Sequence, residues 1–111
     1  KAMSEAGAFQ KQESDIYFDE IRSWADIRGI VKEGNDKVQY VKLMEEAGEL
    51  AQALLKDNDN EIKDAIGDMV VVLTNLASLR GFKIEDCINH AYKEIANRTG
   101  KMVNGTFVKD K

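Results

Sequence analysis

The chain has 111 residues, enough for one domain with a modest core but few enough that association with a second copy would help it. A formal net charge of −4 and a pI of about 5.0 argue against a broad nucleic-acid-binding surface, so no nucleic-acid polymer is expected as a partner. The lone cysteine, Cys87, excludes an intrachain disulfide and fits a reducing cytoplasm. No secretory leader is visible, and the longest apolar run, residues 69–73, is far too short to span a membrane.

The absence of proline and the many Ala, Leu, Glu and Lys residues favour an all-α domain. Residues 1–14 (KAMSEAGAFQKQES) lack a clear period. They are expected to be a loose extension, or a short helix packed on a neighbour, ahead of a helical domain at 15–111. Ser14 and Asp15 predict the N-cap of a first helix running to about residue 28. Ile16, Phe18, Ile21, Trp24, Ala25 and Ile27 form its apolar stripe, and Gly29 stops it. Trp24 reads first as core packing; its alternative is a wall on which a nucleobase stacks. Residues 32–36 (KEGND) read as a polar connection, with Asn35 or Asp36 capping a second helix over 36–56. Val38, Val41, Leu43, Leu50, Leu54 and Leu55 are the expected buried face of that helix. Gly48 in its middle costs about 1 kcal/mol relative to alanine, which predicts close approach of another helix or of a ligand.

Residues 57–60 (DNDN) predict a turn that caps a third helix over 61–80, stopped by Gly81. So short a turn makes helices two and three an antiparallel hairpin, with Gly67 allowing close approach beside Asp68. A fourth helix is predicted from 84 to about 99, with Ile88, Ala91, Tyr92, Ile95 and Ala96 inward. His90, the only histidine, reads as structural or exposed. No Glu-x-x-His pair exists, which counts against a di-iron bundle. Lys93, Arg98 and Lys101 are either complements of a helix C-terminus or phosphate-binding cations. Asn104-Gly105 between β-formers predicts a hairpin over 102–108. The expected architecture is an antiparallel four-helix bundle with a small C-terminal β-hairpin.

Candidate chemistry sits in residues 43–76. There, Glu45, Glu46 and Glu49 form one acidic cluster and Glu61, Asp64 and Asp68 another. Residues three or four apart share a helix face, so these carboxylates repel and weaken each helix by a few tenths of a kcal/mol per pair. A single acidic pair is usually just a solvated face. Here the context is apolar: Leu43, Ala47, Leu50, Ala51 and Leu54 surround the glutamates, and Asp68 opens the run 69–73. A carboxylate near a core needs a partner. Hard oxygen ligands suit Mg²⁺, with Mn²⁺ as substitute. Glu46 lies about 11 residues before the turn and Asp68 roughly 8 to 10 after it. At about 1.5 Å per residue the two clusters stand at similar height. Asn75, seven residues beyond Asp68, either extends this site or is satisfied within the bundle.

The block Glu45-Glu46-Ala47-Gly48-Glu49-Leu50, followed by an acidic segment and Gly67-Asp68-Met69-Val70, resembles the MazG-like nucleoside triphosphate pyrophosphohydrolases of the all-α pyrophosphatase superfamily. That superfamily also holds dimeric dUTPases and dCTP pyrophosphatases. The resemblance covers roughly residues 18–98. It places Glu46 and Glu49 in the family's ExxE motif, with Glu45 as an extra leading glutamate, and Asp68 at the Asp of ExxD. The sequence departs at Ala65, where the family carries glutamate; Asp64 is one substitute and Glu61-x-x-Asp64 another reading. The resemblance implies Mg²⁺-dependent cleavage of a nucleoside triphosphate to the monophosphate and pyrophosphate. Glu45 or Glu46 would orient or deprotonate water, and Lys93, Arg98 or Lys101 would hold phosphate. It further implies assembly as a homodimer or homotetramer, and house-cleaning of nucleotides or phage-type nucleotide control as the setting. The competing expectation, supported by Ala65, is a non-catalytic nucleotide- or metal-binding helical oligomer with a regulatory role. A third is a purely structural oligomer with solvated acidic faces.

Overall fold

A computed structural model of the chain describes residues 13–111, with side chains from residue 17 onward. Most of the expected loose extension, residues 1–12, lies outside them, as does the side chain of Ile16. The fold is all-α with a small C-terminal sheet. Its helices are α1 (Glu13–Ile27), α2 (Ile30–Glu33), α3 (Asp36–Lys56), α4 (Asp59–Leu79) and α5 (Ile84–Ile95). Strands β1 (Gly100–Val103) and β2 (Thr106–Lys109) follow.

Helix α1 already includes Glu13, so Ser14 and Asp15 lie inside it rather than capping it. Gly29, in the left-handed region at φ 74°, ends that run. One further turn, α2, forms where a polar connection was expected, closed by the Glu33 amide donating to the Gly29 carbonyl at 2.9 Å. At Gly34 a side chain would collide with the Ile30 carbonyl, so only glycine lets the chain pass into α3. Asn35 caps α3, its side chain accepting from the amides of Lys37 and Val38 at 2.8 and 3.2 Å.

The α3–α4 turn is tighter than expected. Asp57 adopts φ 58°, and the amides of Asp57 and Asn58 return to the Leu54 and Ala53 carbonyls. Asn58 then caps α4 through the Glu61 amide at 3.1 Å. With so short a link α3 and α4 run antiparallel, and α1 packs on α4. The hairpin core is built of small groups: Ala53, Ala65, Val72 and Ala77, joined by Ala25 of α1. Small residues bring the two backbones together and leave little room for the large aliphatics. Val38, Val41, Leu54 and Leu55 of the expected buried face are accordingly exposed, Leu55 by 88%. Ile27 of α1 is exposed as well. A side chain at Gly48 or Gly67 would meet open space, so neither glycine serves close packing within this chain.

Helix α5 leaves α4 at 103° and buries none of its residues, so Ile88, Ala91, Tyr92, Ile95 and Ala96 are not inward within the chain. It ends four residues early because the hairpin claims Thr99, whose hydroxyl donates to Asp110 at 2.8 Å and whose carbonyl accepts the Asp110 amide. The hairpin turns at Asn104-Gly105, both with positive φ, and pairs Lys101 with Val108. No single helix among the described residues is long and apolar enough to cross a membrane.

Candidate metal centre

Glu46 and Glu49 of α3 and Asp68 of α4 converge. One carboxylate oxygen from each lies within 4.8 Å of the others. Their heights match because α3 ends and α4 starts at capped ends on either side of a two-residue turn. Glu46 is only 6% exposed, and its Oε1 is buried with no hydrogen-bond partner. Burial pushes its carboxyl above the usual carboxylate range, and the negative charges of Glu49 and Asp68 push the same way. Lys42, one turn earlier on α3, opposes the shift with its Nζ 3.7 Å from Glu46 and 3.9 Å from Glu45.

Asp68 lies on the walls of three clefts. The first, about 320 Å³, includes Trp24, Ile30, Lys42, Glu46 and Asn75. Asn75 is buried, and its Oδ1 lacks a partner. Asn75 thus shares this cleft wall with Glu46 and Asp68, with an oxygen that the bundle leaves unsatisfied. The second, about 280 Å³, is lined by Glu49, Gln52, Glu61, Asp64 and Ala65. The third, about 510 Å³, is lined by Tyr17, Glu20, Ile21, Trp24 and Val71.

The remaining sequence candidates sort by position. Asp64 and Glu61 share a cleft with Glu49 and Asp68 but stand outside the converging three. Glu61 is engaged in the cap, accepting from Asn58 Nδ2 and Lys56 Nζ at 3.3 Å each. Glu45 is exposed beside Lys42. Trp24 is 42% exposed in the cleft wall instead of sealed in the core, with the Arg28 guanidinium 4.5 Å from its ring centroid. Lys93, Arg98 and Lys101 are exposed and line none of these clefts. Lys42 and Glu20 were not singled out from sequence. The spacing Lys42-x-x-Glu45-Glu46 carried a signal for the first, since i,i+3 and i,i+4 cations pair with such glutamates. Glu20 gave none, because only the fold brings α1 beside Asp68.

The donor set suits a hard divalent cation: all oxygen, three carboxylates, one of them buried with an orphaned atom. Fold and donor set thus define an all-α protein with a carboxylate site on a helical hairpin. The chain belongs to the family of the MazG nucleotide pyrophosphohydrolase domain, whose sequence profile matches residues 36–103. An uncharacterized 18.2 kDa protein of the rep-hol intergenic region of Haemophilus phage HP1 (strain HP1c1) is 44% identical over 57 residues. That stretch is 51% of this chain and 35% of the phage protein, so the match spans about a third of the relative's length. No solved structure matches the chain.

Proposed function

We propose that the protein is a Mg²⁺-dependent nucleoside triphosphate pyrophosphohydrolase, releasing pyrophosphate and the (deoxy)nucleoside monophosphate. The carrying observation is the buried, unpartnered Glu46 Oε1 among two further carboxylates. Three converging carboxylates with Lys42 alone among the described residues to offset them are costly without a metal cation, and an anionic triphosphate would be repelled by them. Glu46, Glu49 and Asp68 are the ligands, with Asp64 and Glu61 at the edge of the adjoining cleft. A divalent cation there, Mg²⁺ or Mn²⁺, supplies charge neutralisation and acidifies a water molecule. Glu45, outside the cluster and open to solvent, takes the proton of the attacking water; Glu46 is too buried to exchange it readily. Asn75 and Lys42 contact the phosphate chain from the first cleft, and Trp24 borders the base. Lys93, Arg98 and Lys101 reach phosphate only across a subunit boundary, in a homodimer or homotetramer.

The test is pyrophosphate release from the common NTPs and dNTPs with Mg²⁺. Turnover is expected to fall at least about a hundredfold in Asp68→Asn, the one carboxylate shared by all three clefts. No release from any nucleotide at high protein concentration sinks the proposal. It would favour a regulatory nucleotide- or metal-binding oligomer, which Ala65, standing where the resemblance expects a carboxylate, supports.

A further inference from the structure

The largest cleft beside the carboxylates is walled mainly by carbon. Of its lining residues, Ile21, Val71, Tyr17 and Trp24 present aliphatic or aromatic surface, and Asp68 joins it to the converging carboxylates. The Trp24 ring is steadied by the Arg28 guanidinium. A partly exposed aromatic wall opening from a phosphate-binding point suits a flat heterocycle, and the volume of about 510 Å³ accommodates one. Stacking alone does not choose among bases, because every base offers a π face. Selection falls to the polar groups of the cleft. Of the polar groups not shared with the carboxylate cluster, the Tyr17 hydroxyl, the Trp24 indole N–H and the Glu20 carboxylate, only that of Glu20, an exposed residue one turn before Trp24, offers acceptors and no donor.

An ionised carboxylate accepts hydrogen bonds and donates none. Cytosine offers it a 4-amino group and adenine a 6-amino group; guanine offers N1–H with the adjacent 2-amino group. Uracil and thymine place a carbonyl oxygen where cytosine has its amine, and hypoxanthine lacks the 2-amino group of guanine. A carbonyl facing a carboxylate sets acceptor against acceptor, and the single ring N–H that uracil, thymine or hypoxanthine offers stands beside such a carbonyl. We infer that Glu20 makes this cleft selective for amine-bearing bases, cytosine, adenine and guanine, over uracil, thymine and hypoxanthine. The inference rests on the nucleotide reading proposed above and assigns that site its base class.

Trp24 is the chain's only tryptophan, so its fluorescence reports on this cleft directly. The full chain with Mg²⁺ is titrated with the α,β-imido analogues of dCTP and dUTP, which bind without turnover. The dCTP analogue is expected to bind at least about tenfold more tightly. Glu20→Gln, which keeps the size and gains a donor, is expected to bring the ratio close to one. Equal affinities in the unmodified protein, a ratio that Glu20→Gln leaves intact, or no quenching by either analogue overturns the inference. Pyrophosphate release from dCTP and dUTP is measured in parallel. A binding ratio without turnover removes the hydrolase and leaves the base preference; turnover with a ratio of one does the reverse.

Discussion

Glu46 is where folding and function oppose each other. Its carboxyl is raised by burial and by Glu49 and Asp68, so the metal-free fold holds that proton more tightly than the unfolded chain does. The sign follows from linkage. A carboxyl raised above its unfolded value contributes stability while protonated and loses it as pH rises through the folded value. Without metal the protein is therefore expected to melt lower at neutral pH than just below that value. Glu46→Gln removes the charge and should raise the metal-free Tm at neutral pH by about 5 °C, on the order of 1 kcal/mol. The same substitution should erase any rise in Tm on adding Mg²⁺, since a bound ion stabilises only the fold that holds it. Thermal melts of both proteins with and without Mg²⁺ check this; a Tm rise that survives in Glu46→Gln moves the ion elsewhere. Asp64 tests the site's edge. It lines a cleft with Asp68 but stands outside the converging three, so Asp64→Asn should lower pyrophosphate release less than Asp68→Asn does. An equal loss would make Asp64 a full substitute for the missing carboxylate at Ala65.

At the scale of elements, one contact fixes where α5 begins. Arg22 of α1 donates through both terminal nitrogens to Glu85, in the first turn of α5, at 2.6 Å each, and also to Asp19 at 2.7 Å. The Arg22 hydrogen bonds hold the Glu85 carboxyl down to about 2. A depressed carboxylate contributes stability above its unfolded value, near 4.5, and loses it as pH falls toward about 2. Both side chains retain some solvent contact, so the pair is worth on the order of 1–2 kcal/mol after screening. Between pH 4.5 and 2 the Tm of the unmodified protein should fall more steeply than that of Glu85→Gln; parallel curves would show the bridge to be energetically idle. No spacing rule pairs residues 63 apart, so this bridge was illegible in the sequence. Local devices were legible. The bounds of α3 agree with its predicted span, and the Asn35 cap, the Gly81 stop and the Asn-Gly hairpin all rest on nearest-neighbour chemistry. One turn of helix at α2 is too short to show a period. The three converging carboxylates were legible as two spaced motifs joined by a short turn. Which of Asp64, Glu61 and Asp68 would face α3 depended on a helix rotation that only packing sets.

For the molecule as a whole, the misplaced core is the informative error. Apolar periodicity says that a face is buried, not whether its cover comes from the same chain. Helix α5 has 12 residues, a clear apolar stripe and no buried side chain; Ile88, Tyr92 and Ile95 are each at least half exposed. An isolated helix that short is marginal in water, and so is a two-stranded hairpin. Exposed Met102, Phe107 and Val108 on the attached hairpin enlarge the same apolar surface. A second copy of the chain is the cover that the proposed assembly supplies, and closed symmetry would bury the stripe on both copies. The chain is therefore expected to sediment at two or four times 12.5 kDa at micromolar concentration. Tyr92→Asp, which places a charge in that stripe without touching the carboxylates, should shift it toward the monomer. Lys93, Arg98 and Lys101 belong to this same C-terminal region, so the dissociated variant should also bind triphosphate several-fold more weakly while its Mg²⁺ response persists. Sedimentation of the unmodified chain as a 12.5 kDa species would remove the assembly and, with it, any reach of these cations to the site.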